Sequence, residues 1–135
     1  MGPCKRIEPF KERVLVADDD PIVRRVILDQ LENAGYQVVE AEDGEEVIQA
    51  VNSMERSSAI DAIICDIRMP NVDGVAVIRY VREKCPAIPI IVLTGLFDPQ
   101  LAEGLLDRGV SEFLTKPIDQ GVLVRALQHA IGDRG

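Results

Sequence analysis

The sequence has no tryptophan, few aromatic residues and no long apolar run. Its three cysteines, Cys4, Cys65 and Cys85, are an odd number without the spacing of a metal site or a disulfide framework. We expect reduced thiols and therefore a cytoplasmic protein. No apolar stretch reaches the ~18 residues that a membrane helix needs, and the N-terminus lacks the apolar core of a secretory signal. The sequence thus predicts neither a secreted disulfide-rich domain nor a membrane protein.

Positive charge is also scarce. The 135 residues contain 15 lysines and arginines against 23 aspartates and glutamates, which gives a formal net charge of −8. Binding to nucleic acid or to an anionic membrane needs basic surface that replaces counterions, so neither partner is expected. A chain of this length is expected to form one domain with a hydrophobic core of its own.

Short apolar segments alternate with helical patterns along the whole chain. The predicted strands are 14–17, 36–40, 60–65, 88–93 and 112–115, and each is followed by a predicted helix. Strict alternation with nearly continuous apolar strands predicts a parallel sheet covered by helices on both faces. We therefore expect an α/β fold of the (βα)5, flavodoxin-like type, with a doubly wound five-stranded parallel sheet in the order 2-1-3-4-5. The chain is too short for an eight-stranded barrel.

The first predicted helix has a clear start signal. Asp20 followed by Pro21 is typical of an N-cap and the first helical residue. Apolar residues at helical spacing predict one buried stripe, and Gly35 ends the helix. The residues assigned to that stripe are Ile22, Val23, Val26, Ile27, Leu31 and Ala34. The last helix is predicted over 122–131.

Polar residues stand at the carboxyl ends of four predicted strands. Asp18 and Asp19 follow the first strand, Asp66 the third, Thr94 the fourth and Lys116 the fifth. In an open parallel sheet, the binding crevice lies at the carboxyl ends of the strands, where the strand order reverses. With the order 2-1-3-4-5, that point lies between the first and third strands. The three aspartates are therefore expected to meet there.

Three carboxylates in one crevice need more positive charge than Lys116 alone supplies. A hard divalent cation, Mg²⁺ above all, suits carboxylate, carbonyl and water oxygens. With the metal present, a phosphoryl group can approach one carboxylate while Lys116 and the Thr94 hydroxyl hold its oxygens. This pattern indicates phosphoryl transfer onto an aspartate, in which positioning and charge neutralisation supply most of the catalysis.

At these positions the sequence resembles the receiver domain of two-component response regulators. The matching segments are VLVADDD at 14–20, DIRMPNVDG at 66–74, LTG at 93–95 and FLTKP at 113–117. They occur in the family's order and spacing, and the resemblance extends from about residue 13 to 131. Each segment alone is weakly specific, whereas their combination at consecutive strand ends is highly specific.

The resemblance implies roles for individual residues. Asp66 matches the phosphoacceptor, which takes its phosphoryl group from a phosphohistidine on a histidine kinase or a histidine phosphotransfer protein. Asp18 and Asp19 match the acidic pair that positions Mg²⁺, together with Asp66 and the main-chain carbonyl of Arg68. We further expect that the Arg68 side chain, next to Asp66, affects the lifetime of the acyl phosphate.

The resemblance also implies a conformational switch. Thr94 matches the switch hydroxyl, and Phe113 stands where the family has a rotating aromatic residue, more often tyrosine. Lys116 matches the lysine of the family's site, and the Lys116–Pro117 peptide bond is expected to be cis. His129, the only histidine, is given no catalytic role.

The predicted organisation is an N-terminal arm at 1–12, a receiver domain at 13–131 and a C-terminal tail at 132–135. The predicted function is signalling in a phosphorelay rather than enzymatic turnover of a substrate, with phosphorylation and dephosphorylation of Asp66 itself. The expected output is a downstream protein effector or an output domain absent from this chain.

Two alternatives stay open at this point. One is a docking module that works without phosphate, although the full set of acids, threonine and lysine speaks against it. The other is a phosphatase with an aspartate nucleophile, which needs a second acid two residues further on. Asp18 and Asp20 have that spacing, but Pro21 and Ile22 follow where such enzymes have a threonine.

Overall fold

The computed structural model describes residues 12–54, 59–68, 74–95 and 98–133. All five predicted strands and all five helices are present. The elements are β1 (Arg13–Ala17), α1 (Pro21–Asn33), β2 (Gln37–Ala41), α2 (Gly44–Asn52), β3 (Ala62–Asp66), α3 (Gly74–Lys84), β4 (Ile90–Thr94), α4 (Pro99–Asp107), β5 (Glu112–Thr115) and α5 (Gln120–Asp133). The strands pair in parallel in the order β2-β1-β3-β4-β5, so the predicted α/β fold is confirmed.

Alternate residues of each strand contribute to two separate hydrophobic clusters, one on each face of the sheet. Leu15, Ile63 and Val92 belong to the cluster that α2, α3 and α4 cover. Val16, Ile64 and Leu93 belong to the cluster that α1 and α5 cover. β1, β3 and β4 are buried on both faces, which explains why their sequences are almost continuously apolar.

Several element boundaries differ from the predictions. β3 and β4 each begin two residues later than predicted, because Ile60 and Ile88 are buried in the core but lie before the first paired residue. α5 is longer than the predicted 122–131 and includes the first two residues of the predicted tail. At its start, the Asp119 carboxylate accepts hydrogen bonds from the main-chain N–H groups of Gly121 (2.8 Å) and Val122 (3.4 Å).

The buried face of α1 is narrower than predicted. Ile27, Leu28 and Leu31 are buried, whereas the side chains of Ile22 and Val26 are 74% and 49% exposed. The prediction was wrong for these two residues because apolar character alone does not fix which side of a helix meets the sheet. Ala34 is also exposed and caps the end of α1 instead of packing.

The start of α1 agrees with its predicted signal. Asp20 Oδ1 accepts hydrogen bonds from the N–H groups of Ile22 (2.9 Å) and Val23 (3.4 Å), and Pro21 is the first helical residue. Residues 1–11 of the predicted arm, including Cys4, lie outside the described residues, as do 69–73 of the loop after Arg68. Among the helices of the described residues, none combines the length and apolarity needed to cross a bilayer.

Candidate functional site

The centre of the site lies between β1 and β3, where the strand order reverses. Asp18 follows β1 directly, and Asp66 is the last residue of β3. Parallel pairing sets Ala17 beside Cys65, so the two aspartates emerge at neighbouring positions on the same edge of the sheet. Their residues are only 1% and 6% exposed, which is rare for aspartate and requires compensating partners.

Asp19 completes an acidic cluster with these two residues. One carboxylate oxygen from each of Asp18, Asp19 and Asp66 lies within 4.8 Å of the others. Asp19 is exposed, so the cluster opens to solvent on its side. The three aspartates named from the sequence are therefore brought together by the fold.

Lys116 joins the two buried acids. Its Nζ donates to Asp18 Oδ2 at 2.7 Å and to Asp66 Oδ2 at 2.8 Å. Burial alone lowers the pKa of Lys116, but the hydrogen bonds and negative charges of Asp18 and Asp66 outweigh that effect and raise the pKa above its ordinary value. Lys116 is therefore protonated at neutral pH and supplies one positive charge against three carboxylates.

Main-chain N–H groups hold the second oxygen of each buried acid. The N–H of Asp20 donates to Asp18 Oδ1 at 2.9 Å, and the N–H of Arg68 donates to Asp66 Oδ1 at 3.0 Å. Each carboxylate is thus held by a main-chain group on one oxygen and by Lys116 on the other. Such partners fix the orientation of each carboxylate plane.

Thr94 and Phe113 lie on the strands beside this cluster. Thr94 is buried at the end of β4, and its carbonyl oxygen accepts a 2.8 Å hydrogen bond from the N–H of Lys116. Phe113 pairs with Val92 across β4 and β5, and its partly buried ring packs against the core cluster on the α2, α3 and α4 face. The peptide bond between Lys116 and Pro117 is cis.

A glycine is required where α3 begins. A Cβ atom on Gly74 would lie 2.5 Å from the Cα of Ile67 and 2.6 Å from its carbonyl oxygen, far inside van der Waals contact. The Gly74 N–H donates to that same carbonyl at 3.1 Å. This close approach holds the first residue of α3 against the residue that follows β3.

Two residues at the site were missed in the sequence analysis. The guanidinium of Arg24 on α1 donates from Nη1 to the Asp18 carbonyl oxygen at 2.7 Å and from Nε to Glu40 Oε1 on β2 at 2.9 Å. Arg24 and Glu40 belong to no motif and are 16 residues apart. No signal in the sequence distinguishes this arginine from its exposed neighbour Arg25.

The donor set fits a small divalent cation. Opposite ligands of an octahedral Mg²⁺ are about 4.2 Å apart, and adjacent ones are closer, since each metal–oxygen distance is about 2.1 Å. Carboxylate oxygens within 4.8 Å of one another therefore need only a small adjustment to share one ion. Oxygen ligands and a partly solvated cluster suit Mg²⁺ better than a soft transition metal.

Comparison with known proteins identifies the family of this domain. The family model "Response regulator receiver domain" matches residues 14–128. The chain belongs to this family. Receiver domains are signalling domains of two-component systems and bind Mg²⁺ through acidic residues, and this receiver domain contains a cluster of three aspartates.

Curated relatives of this receiver domain are longer proteins. The CAI-1 autoinducer sensor kinase/phosphatase CqsS of Vibrio cholerae is 37% identical over 117 residues, which is 84% of this chain and 16% of CqsS. The transcriptional regulatory protein GlrR of Escherichia coli is 33% identical over 118 residues, which is 87% of this chain and 26% of GlrR. The chain thus spans about a quarter or less of the length of these two relatives.

A solved structure shares the fold over nearly its whole length. The response regulator receiver domain protein of Clostridium thermocellum is 29% identical and superimposes with a TM-score of 0.83. The match covers 91% of this receiver domain and 96% of that chain. The arrangement of five strands and five helices is therefore that of known receiver domains.

Proposed function

We propose that this receiver domain is a phosphoacceptor in which Asp66 takes a phosphoryl group in a Mg²⁺-dependent reaction. The observation that carries the proposal is the arrangement around Asp66. Its carboxylate is buried, oriented by the Arg68 N–H, neutralised by Lys116 and adjacent to two further acids. A cluster of this kind combines a nucleophile, a fixed cation and oxygen ligands for a metal in one place.

The proposed reaction transfers the phosphoryl group directly from a phosphohistidine to Asp66. A carboxylate oxygen of Asp66 attacks the phosphorus of a phosphohistidine, and an oxygen–phosphorus bond forms. The phosphorus–nitrogen bond breaks, and its electron pair stays on the imidazole nitrogen, which then takes a proton from solvent. Lys116 Nζ, 2.8 Å from Asp66 Oδ2, is placed to bind an oxygen of the incoming phosphoryl group.

Four groups would hold the magnesium ion. They are the carboxylates of Asp18, Asp19 and Asp66 and the main-chain carbonyl of Arg68. When bound, the ion supplies positive charge to the phosphoryl oxygens that Lys116 alone does not neutralise. The chain's own part is to orient the ligands, which the N–H groups of Asp20 and Arg68 do for Asp18 and Asp66.

Phosphorylation is proposed to alter the surface formed by α4, β5 and α5. Thr94 and Phe113 are the proposed switch residues, because Thr94 lies at the end of β4 next to the site and Phe113 lies on β5. The hydrogen bond from the Lys116 N–H to the Thr94 carbonyl ties the two strand ends together. A phosphoryl group that binds Thr94 and Lys116 in one arrangement better than in another shifts the population of the two states.

The proposed donor is a histidine kinase or a histidine phosphotransfer protein. CqsS is named a sensor kinase/phosphatase and GlrR a transcriptional regulatory protein, so relatives of this domain occur in both settings. The proposed output is a downstream protein or an output domain of a longer protein, with residues 13–131 as the receiver unit. The net charge of −8 supports a protein rather than nucleic acid or a membrane surface as the direct partner.

A cytoplasmic location belongs to the same proposal. Cys65 and Cys85 are not joined in a disulfide, and Cys65 is buried among apolar side chains as a reduced thiol. Reduced thiols are the rule in that compartment.

The structure gives less support to an aspartate-nucleophile phosphatase. In such an enzyme Asp18 would be the nucleophile and Asp20 the acid. Asp20 instead uses Oδ1 to cap α1, where it accepts from the N–H groups of Ile22 and Val23. Hydrolysis of a phosphoester over many turnovers would favour the phosphatase, and a single stable equivalent on Asp66 would favour the receiver function.

The proposal is tested by labelling with radioactive acetyl phosphate. The parent protein is expected to incorporate label with Mg²⁺ and to incorporate little with a chelator. The Asp66→Asn variant is expected to incorporate none under either condition. Asp29→Asn is the matched control, because Asp29 is an exposed aspartate on α1 that pairs only loosely with Arg25 at 3.7 Å. Equal labelling of the Asp66→Asn variant and the parent would contradict the assignment of Asp66 as the phosphoacceptor. No labelling of the parent would favour the docking function without phosphate.

A further inference from the structure

Arg24 connects three elements beneath the acidic cluster. It lies on α1, Glu40 lies on β2, and Asp18 follows β1. Its side chain is only 12% exposed, although arginine is usually a surface residue. The guanidinium donates to the Asp18 carbonyl at 2.7 Å and to the Glu40 carboxylate at 2.9 Å, both charge-assisted hydrogen bonds. A largely buried arginine side chain with both contacts has a fixed position.

The Asp18 residue is held at every polar group. Its N–H donates to the Ala41 carbonyl at 3.2 Å, and its carboxylate oxygens accept from the Asp20 N–H and from Lys116. The remaining polar group is its carbonyl oxygen, which accepts from Arg24. Because Asp18 is almost completely buried, an unpaired carbonyl there would be costly, and the peptide would rotate to find another partner.

We propose that Arg24 is a positioning residue for the metal site: held in place by Glu40, it fixes the main chain of Asp18 and thereby the direction of the Asp18 carboxylate. This inference deepens the proposed function and rests on it. Groups that orient a metal ligand without touching the metal commonly change metal affinity by about 10–100-fold.

Charge and position predict opposite results when Arg24 is removed. The Arg24→Ala variant loses a positive charge near the cluster and leaves Glu40 without its cation. By charge alone, the variant therefore binds Mg²⁺ more tightly than the parent. If the Asp18 carboxylate loses its fixed orientation, the variant binds Mg²⁺ more weakly than the parent. A weaker affinity in Arg24→Ala can therefore be assigned to geometry.

The experiment is a calorimetric titration of the whole chain with MgCl₂. Arg24→Ala is expected to bind Mg²⁺ about tenfold more weakly than the parent. Arg25→Ala is the matched control, since Arg25 is the next residue of α1 and its exposed side chain pairs with the exposed Asp29 at 3.7 Å. Urea unfolding without Mg²⁺ checks that each variant is folded at the start of the titration. Unchanged or tighter binding by folded Arg24→Ala would overturn the inference.

If Arg24→Ala does not fold, a second pair of variants tests the same inference. Glu40→Gln and Glu40→Ala lose the same charge, but only glutamine keeps an oxygen that can accept from Arg24 Nε. Glu40→Ala is expected to bind Mg²⁺ severalfold more weakly than Glu40→Gln, and equal affinities would overturn the inference. A parent protein that binds no Mg²⁺ would contradict the proposed function and this inference together. A parent that binds Mg²⁺ alongside an unaffected Arg24→Ala would contradict the inference alone.

Discussion

The ammonium nitrogen of Lys116 lies 2.8 Å from Oδ2 of Asp66, although the two residues are 50 positions apart in the sequence. The same nitrogen also bonds Asp18, so one lysine from the end of β5 ties together the acids that follow β1 and end β3. The lysine ammonium is therefore in direct contact with both buried carboxylates. We expect the ammonium group to have two opposing effects: its charge competes with a divalent cation, and it binds an oxygen of the phosphoryl group.

Lys116→Met is expected to separate these two effects. Loss of the ammonium removes the charge that competes with a divalent cation, so Mg²⁺ affinity is expected to rise. Labelling by acetyl phosphate is expected to fall strongly, because a phosphoryl oxygen loses its fixed partner. Without Mg²⁺ the variant is expected to lose about 3–5 kcal/mol of unfolding free energy, since two buried carboxylates then lack their cation. Calorimetry, labelling and urea unfolding measure the three quantities.

Lys84→Met is the control for this variant. Lys84 is an exposed lysine in the last turn of α3, so its loss changes the net charge equally. It is expected to leave Mg²⁺ affinity and labelling close to those of the parent. A Lys116→Met variant that labels as fast as Lys84→Met would show that Lys116 has no part in phosphoryl transfer.

Gly74→Ala is expected to destabilise the protein by about 1–3 kcal/mol or more, because its Cβ would overlap the main chain of Ile67. Gly104→Ala is the matched control. Gly104 lies inside α4 with open space around a Cβ, and alanine there is expected to raise the unfolding free energy by up to about 1 kcal/mol. Urea unfolding of both variants measures the difference. Equal stability of the two would refute the close approach of Gly74 and Ile67.

The Cys65 thiol is expected to be unreactive in the folded protein. Burial raises its pKa to about 12, and the negative charges of Asp66 and Asp18 add to the effect. Between the ordinary thiol pKa of 9.0 and about 12, the unfolded chain loses this proton while the folded chain keeps it, so the contribution of Cys65 to stability falls as pH rises through that range.

Two measurements check this prediction in a Cys4→Ser, Cys85→Ser background. The thiol is expected to react with an aromatic disulfide reagent only as fast as the protein opens. Replacement of Cys65 by alanine is expected to flatten the fall in unfolding free energy above pH 9.0. Rapid reaction of the folded protein near neutral pH would contradict the buried position of Cys65.

Arg68→Ala is expected to shorten the lifetime of the phosphorylated protein. The Arg68 N–H orients Asp66, and the exposed Arg68 side chain belongs to the residue two positions after Asp66. We expect this side chain to shield a phosphoryl group on Asp66 from water. The alanine variant keeps the N–H and loses only the side chain. Loss of label after removal of acetyl phosphate measures the rate, with Arg79→Ala on α3 as the control. Equal rates for Arg68→Ala and the parent would remove this role.

The sequence predicted the fold and the meeting of Asp18, Asp19 and Asp66 because both depend on local patterns. A buried parallel strand is apolar until it ends, so the first polar residues mark the edge where strand ends meet. Arg24 and Glu40 escaped prediction because their pairing depends on how α1 lies over β2, which no local pattern records. The exposure of Ile22 and Val26 was not predicted for a related reason. Helical spacing identifies the apolar side of α1 but does not determine the angle at which α1 meets the sheet.

The most direct test of the account identifies the phosphorylated residue chemically. The protein is treated with acetyl phosphate and Mg²⁺ and then reduced with borohydride, which converts an aspartyl acyl phosphate into homoserine. Peptide mass spectrometry then reads the position. We predict homoserine at position 66 in the treated parent and none there when Mg²⁺ is chelated. Homoserine at position 18 or 19 instead, or no reduced aspartate at all, would contradict it.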